Sequence, residues 1–530
     1  MAAESDKQLD LEERLRRLNE IGVALSGQDD LHTLLDRILL EARRFTNADA
    51  GTLYLAKGDH LTFEVAQNDS LENFSGKIDV PPVPLNTDSV SGYAAVTGEV
   101  LSIDDVYGGE GRFRFEGPRN YDKITGYRTR SMLVVPMKDH EYEIIGVLQL
   151  LNATNQADGQ VVPFTKEDES LLESLASQAA VSVNNVRLVE ETEELFESFV
   201  RVMATAIDER SPYTGGHIRR VAELTIGVAE EVNGCDNGPL KSVVFTDDEL
   251  NELRIAGWMH DIGKITTPEW VVDKPTKLTT IYDRIDLLST RFNLMARTLE
   301  VEMLREKVAA LEAGKEVPAD LELRCEAKVE ELSADLEFLK RANRPGEFMA
   351  DADLERLAAI NQRQYLSEAD GNAVAPLSED EFENLSIRKG TLTDGERRKI
   401  NDHAAMSIKM LEQIPFTRKL RRVPAIAGAH HERLNGTGYP RGLSADDISL
   451  QSRILALVDI FESISADDRP YRDKPMPREL VLKILREEVD SNHLDSNVYE
   501  LFVARELYLK LDEIKAQMAK QAAESNSAAP

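Results

Sequence analysis

Apolar residues recur at helical steps across residues 11–25, at Leu11, Leu15, Leu18, Ile21 and Leu25. A second helical run covers 31–46, where Asp29 or Asp30 can cap its start. The period then shortens. Strand-like runs at 51–56, 61–67, 100–103, 131–137 and 143–151 predict an antiparallel sheet, with Lys138-Asp139-His140-Glu141-Tyr142 as a hairpin connection. Helices flanking such strands predict an α+β domain of sensor size. From Asp168 the helical period returns and meets no Gly or Pro until Pro212. Leu172, Leu175, Ala179, Val183, Val186 and Val189, then Leu195, Phe196, Phe199, Met203 and Ala206, carry the stripe. A helix of about 40 residues is about 60 Å long, so residues 168–210 are expected to connect two domains. The stripe packs either on those domains or against its copy in a parallel dimer, and the dimer is the favoured expectation.

Beyond the connector the pattern is helical throughout. Leu304, Val308 and Leu311, then Leu321, Cys325, Val329, Leu332, Leu336 and Leu339, predict a charged helical hairpin with a narrow apolar seam that includes Cys325. Residues 350–384 read as short helices and loops. Leu278-Thr279 and Leu392-Thr393 look like partial copies, so residues 280–391 are read as an insertion splitting one element. His403 is expected to open a helix, and Asp459 to end one. The Ala/Ser-rich tail from Ala519 is expected to be disordered, with 511–530 as helix end and tail.

Length and charge narrow the classes. A chain of 530 residues holds more than one domain, and its net charge of −32 argues against nucleic acid as a partner. Two cysteines, Cys235 and Cys325, make no disulfide framework and fit a reducing compartment. The polar residues 1–10 lack the apolar core of a signal peptide, and no apolar run reaches membrane-spanning length. A cytoplasmic protein without a membrane span is the expectation.

Candidate chemistry lies in the helical half. Five of the nine histidines, His217, His260, His403, His430 and His431, are placed at helix ends, joined by Asp261 and Asp459. Imidazoles and carboxylates in this number exceed one tetrahedral zinc and suit two cations bridged by a carboxylate. Such a pair serves phosphoester hydrolysis. After His430-His431-Glu432, the run Arg433-Leu434-Asn435-Gly436-Thr437-Gly438-Tyr439-Pro440 allows close backbone approach to a ligand.

Two resemblances follow. Residues 15–188, after an N-terminal segment 1–14, resemble a GAF domain through Gly126-Tyr127-Arg128-Thr129-Arg130-Ser131-Met132-Leu133-Val134-Val135-Pro136-Met137, Ile145-Gly146-Val147-Leu148-Gln149-Leu150-Leu151-Asn152 and Phe164-Thr165-Lys166-Glu167-Asp168-Glu169. In phosphodiesterase GAF domains these last positions belong to a cyclic-nucleotide motif. Asn152, Phe164, Asp168 and Glu169 match it, but Ala153 replaces its lysine. The other reading makes Phe164 core and lets Asp168 and Glu169 open a helix. That second reading is the favoured expectation for these four residues, and an unidentified small ligand is expected at the domain. The region has no cysteine for a linked bilin and no evident haem ligand.

Residues 194–510 resemble the HD-GYP family of HD phosphohydrolases, through Pro212-Tyr213-Thr214 with Gly216-His217, His260-Asp261-Ile262-Gly263-Lys264, Leu392-Thr393 with His403, His430-His431-Glu432, Gly438-Tyr439-Pro440, Asp459-Ile460-Phe461-Glu462 and Arg469-Pro470-Tyr471-Arg472. The resemblance implies hydrolysis of cyclic di-GMP to pGpG or GMP by two divalent metals, iron first and manganese second. It implies His217, His260, Asp261, His403, His430, His431 and Asp459 as ligands. Asp261 would bridge, and Lys264 would neutralise phosphate. Gly436, Gly438, Tyr439 and Pro440 would line the substrate groove, with Arg469 and Arg472. Tyr213 stands where members with a third metal carry Glu, so a binuclear site is expected. Two alternatives stand beside this activity: a slow, metal-holding signalling scaffold that binds partners through the insertion, and a hydrolase of another cyclic dinucleotide.

Overall fold

The computed structural model describes residues 16, 20–23, 30–71, 81–108, 119, 122–123, 126–210, 216–345, 348–366, 373–466 and 476–527. The expected segment 1–14, Tyr213, Arg469 and Arg472 lie outside these residues. The chain divides into two compact units, 1–196 and 197–530.

In the first unit, helix α1 (Leu31–Thr46) starts where the Asp30 carboxylate accepts the Thr33 N–H at 2.7 Å. Its Leu34, Leu35, Ile38 and Leu39 are buried, each contributing roughly 1.5–3 kcal/mol of transfer free energy. Strands β1 (Ala48–Lys57), β2 (His60–Asn68), β3 (Val83–Pro84), β4 (Leu101–Ile103), β5 (Met132–Lys138), β6 (Ile144–Thr154) and β7 (Val161–Val162) follow. They form one antiparallel sheet ordered β3-β2-β1-β6-β5-β4, with β7 on β6. Alternation sorts the side chains. Leu53, Leu133, Val135, Leu148 and Leu150 face a core with α1 and with Leu172, Leu175, Ala179 and Val183. Met132, Val134, Val147 and Leu151 face a second core with helix α2 (Val90–Thr97). The expected strands are all present.

Helix α3 runs from Lys166 to Asp208 (43 residues), and the boundary between the units falls within it. Its Val181, Leu188, Val189, Leu195, Phe199 and Val202 are exposed.

The second unit is helical: α4 (His217–Asn233), α5 (Asp247–Met259), α6 (Ile285–Glu312), α7 (Leu321–Asn343), α8 (Asp351–Gln362), α9 (Glu379–Leu385), α10 (Asp394–Leu411), α11 (Val423–Gly428), α12 (Leu450–Ser465), α13 (Arg478–Asp490), α14 (Ser496–Ala504) and α15 (Lys510–Ser527). One small hairpin, β8 (Tyr365–Leu366) with β9 (Ala373–Val374), interrupts them. Helices α6 to α9 own a core of Leu288, Phe292, Leu332, Leu336, Leu357, Ile360 and Leu385. At its stem, the buried Lys274 ammonium holds both Glu396 carboxylate oxygens, at 2.8 and 2.9 Å.

Three expectations fail here. Leu304, Val308 and Leu311 are exposed, because the core on α6 reaches only as far as Leu299. Cys325, Leu332, Leu336 and Leu339 are buried as expected. The C-terminal segment is helical to Ser527 rather than disordered. Its Ala, Gln, Lys and Glu residues favour helix, and buried Leu511 and Ile514 anchor it. Finally, His403 and Asp459 lie inside helices, not at their ends. A capping box between Thr393 and Glu396 starts α10 at Asp394, and α12 continues to Ser465.

Candidate metal centre

Gly216, with φ at 79°, turns the chain so that α4 begins on His217. Helix α5 starts on a Thr246–Glu249 capping box and delivers His260 and Asp261 at its end. The next turn is a 3-10 helix (Ile262–Thr266) pressed onto α10. A Cβ on Gly263 would sit 2.0 Å from the His403 carbonyl oxygen, so only glycine permits the approach. The Gly263 N–H donates to Ser407 Oγ at 2.9 Å, fixing the two elements together. Helix α11 ends just before His430 and His431, and α12 presents Asp459 inward.

These elements bring all seven candidate ligands together. His217, His260 and Asp261 form one compact group, and His403, His430 and His431 form another. Asp261 links them. Its Oδ2 lies 3.2 Å from His260 Nε2 and 3.6 Å from His217 Nε2. Its Oδ1 lies 3.3 Å from His403 Nε2. Asp459 Oδ1 approaches His217 Nε2 at 3.3 Å and His260 Nε2 at 3.8 Å. His431 Nε2 is 3.2 Å from His403 Nε2.

The far side of each ring fixes its tautomer. His260 Nδ1 donates to Gly257 O at 2.7 Å, His403 Nδ1 to Ile400 O at 2.5 Å, and His430 Nδ1 to Ala427 O at 2.5 Å. Each Nε2 therefore keeps its lone pair for the centre. His217 Nδ1 instead meets Glu462, a fully buried carboxylate whose other oxygen accepts the Arg220 Nε–H at 2.5 Å. Glu462 stands one helical turn beyond Asp459, and that spacing was the available signal for it. Sequence reasoning also quoted Glu432 within a motif without giving it a role; its carboxylate accepts the N–H of Arg441 at 2.7 Å and of Leu443 at 2.8 Å.

Electrostatics separate the two groups. Burial lowers the pKa values of His403 and His430, and takes His431 down to about 3. These three are neutral donors. Burial opposes charge on His217 too, but Glu462, Asp261 and Asp459 outweigh it and hold His217 well above the usual imidazole range. His260 is raised against burial by Asp261 and Asp459. Asp261 is held well below the carboxylate range despite its burial, by Lys264 and His260. Lys264 Nζ lies 2.5 Å from Asp261 Oδ2.

Buried polar atoms normally have partners. Here His217 Nε2, His260 Nε2, His430 Nε2 and Asp261 Oδ1 have no hydrogen bond. Orphaned donors converging from several helices fit a metal centre.

The candidate groove is less complete. Tyr439 lies against His431 with ring centroids 4.8 Å apart, and its N–H donates to His431 O at 3.2 Å. Gly436 has φ at 78°, and a Cβ on Gly438 would meet Arg433 N at 2.3 Å. Pro440 follows in the same turn. Arg397 and Arg433 are near enough to Tyr439 to favour its phenolate, although burial dominates and raises its pKa.

The four GAF candidates have structural tasks. Asn152 accepts the Arg130 N–H at 2.7 Å and donates to Tyr127 OH and Arg128 O, both at 2.9 Å. Phe164 is in the core. Asp168 accepts the Thr165 N–H at 2.8 Å at the start of α3, and Glu169 pairs with Lys166 at 2.6 Å.

The GAF domain family matches residues 30–183, and HD domain families match residues 214–344 and 373–498. The chain is similar to 3'3'-cGAMP-specific phosphodiesterase 3 of Vibrio cholerae, at 43% identity over 19% of this chain and 21% of that protein. It is similar to 3'3'-cGAMP-specific phosphodiesterase 1 of the same organism, at 39% identity over 23% of this chain and 27% of that protein. A third relative is the dual 3',5'-cyclic-AMP and -GMP phosphodiesterase 11 of Drosophila melanogaster, at 30% identity over 35% of this chain and 13% of that protein. The chain thus spans between 13% and 27% of the length of these relatives. No described helix is long and apolar enough to cross a membrane.

Proposed function

For this chain, a GAF domain followed by an HD domain, we propose metal-dependent hydrolysis of a cyclic dinucleotide, with cyclic di-GMP as substrate and pGpG or GMP as product. The observation that carries the reading is the pair of orphaned histidine groups joined by Asp261. His217, His260 and Asp459 would hold one divalent cation, and His403, His430 and His431 the other, with Asp261 shared. When bound, the pair supplies an activated water and neutralises a scissile phosphate.

The chain's own residues do the rest. Lys264, beside Asp261, adds a positive charge where phosphate oxygens would lie. Glu462 orients His217, and the backbone carbonyls orient His260, His403 and His430. Tyr439 extends the wall of His431 as a flat face for a base. Glu432 ties the following turn in place through two N–H groups. Iron is the expected metal and manganese the second choice.

The relatives favour a second reading for the substrate, since two of them are named for 3'3'-cGAMP. Purified protein loaded with Fe(II) or Mn(II), given each dinucleotide separately, distinguishes the two by product chromatography. No hydrolysis of either by metal-loaded protein would leave the scaffold alternative.

Regulation by the GAF domain through α3, and a homodimer along the exposed stripe of that helix, belong to the same proposal. Val181, Leu188, Leu195 and Val202 repeat every seven residues, the spacing of a two-stranded seam. Sedimentation at micromolar concentration checks it; a monomer throughout removes the dimer.

A further inference from the structure

Helices α7 and α8 border a cavity of about 280 Å³ lined by Lys277, Phe338, Arg341, Arg344, Phe348 and Arg388. It shares no residue with the histidine–aspartate centre. In a chain of net charge −32, four cations face this one space, and Asp353 is the one carboxylate among its lining residues.

Among the described residues, Arg388 alone of these four cations has a carboxylate ion pair. Lys277 is only 5% exposed. Its ammonium meets the Leu385 carbonyl at 3.3 Å and the Met349 sulfur at 3.6 Å, and no carboxylate pairs with it among the described residues. Lys274, three residues earlier and equally buried, shows the usual solution: both oxygens of Glu396 and the Asn384 side chain, at 2.7 Å, surround it. A buried charge without a counter-ion is costly, and natural proteins pair it. Burial also lowers the Lys277 pKa to about 8, with the more distant Asp353 carboxylate pulling the other way. Arg341 and Arg344 make no side-chain hydrogen bond or ion pair among the described residues. Arg388 pairs with Asp351 at 2.6 Å and lies 5.6 Å from the exposed Phe348 ring.

We propose that this cavity is a second, non-catalytic binding site for a phosphorylated small molecule of mononucleotide size. Lys277 supplies the missing charge match at its base. Arg341 and Arg344 supply planar donors suited to phosphate oxygens. Phe348, with Arg388 beside it, offers a face on which a base can stack. The volume is near the lower end of small-molecule pockets, roughly 300 Å³, which suits one nucleotide. The site stands independently of the reaction at the metal centre.

Calorimetry on the full chain after chelation of metal tests this, with inorganic pyrophosphate and GMP as probes. Saturable binding of at least one probe is expected. Binding should weaken by about tenfold or more in the exposed double variant Arg341→Glu/Arg344→Glu, while the reloaded protein keeps its hydrolytic rate. Equal binding of both probes identifies a phosphate site. Tighter GMP binding, lost in Phe348→Ala, identifies a nucleotide site. A Lys277→Met variant should melt higher than the parent without ligand, and lose the probe-induced rise in Tm. Absence of saturable binding by either probe, or binding unchanged in the double-arginine variant, overturns the proposal.

Discussion

The polar network around Asn152 in the GAF domain and the candidate metal centre both bury polar side chains, but they treat them in opposite ways. Around Asn152 every polar group finds a protein partner: Arg130, Arg128 and Tyr127, whose hydroxyl in turn donates to Asp49 at 2.6 Å. Around Asp261 the protein leaves polar atoms of three histidines and one carboxylate unmatched. A closed network stabilises a fold. An open one is costly to bury and implies something else that completes it. Burial of polar side chains therefore closes on itself around Asn152 and stands open around Asp261.

The largest expected effect that sharpens this contrast is on Asp261. Asp261→Ala removes the link between the histidine groups, and hydrolysis should fall by about three decades, the equivalent of several kcal/mol. A variant with unchanged turnover breaks the assignment. Next in size is Glu462→Gln, which loosens His217 without touching the centre directly. Metal affinity or activity should drop roughly 10–100-fold, measured by metal analysis after dialysis alongside the rate. Gly263→Ala comes third. The Cβ would press on the backbone of α10, so thermal unfolding should show a loss of about 1–3 kcal/mol together with weaker metal retention. Asn152→Ala should cost a comparable or smaller amount, about 1–3 kcal/mol, with metal content and rate per folded molecule unchanged. Loss of metal in that variant would erase the distinction between the halves.

A subtler effect concerns pH. His217 is held well above the usual imidazole range in the metal-free protein and His260 is shifted in the same direction, so a cation binding this group displaces more protons than one binding the other. Affinity at that group should rise with pH. His403, His430 and His431 have lowered values and are already neutral, so affinity at their group should be nearly flat between pH 6 and 8. On acidification the His217 group should empty first. Metal analysis after dialysis at each pH checks the order, and simultaneous loss from both groups contradicts it.

Much of this was readable in the sequence. Period-two runs foretold the strands, and the unbroken stripe from Leu172 to Ala206 foretold α3. The candidate ligands stood out because histidine is scarce, nine in the chain, and five of them recur beside helical patterns with aspartates. Their placement was not. His403 and Asp459 lie within helices because capping boxes and continued apolar stripes, not the functional residue, decide where a helix begins and ends. Glu462 and Glu432 stood in the quoted motifs but received no role, because one buried carboxylate looks like any surface acid until its partners are known. Leu304, Val308 and Leu311 have helical spacing, yet spacing does not say whether a neighbour reaches that far along α6.

The proposed centre has two cation seats joined by one carboxylate. Stepwise titration of Fe(II), or Mn(II), into the chelated chain, with hydrolysis of cyclic di-GMP and 3'3'-cGAMP followed at each step, tests it most directly. Activity should stay near background through the first equivalent and rise with the second. Full activity at one equivalent, or two bound equivalents with neither dinucleotide cleaved, would contradict it.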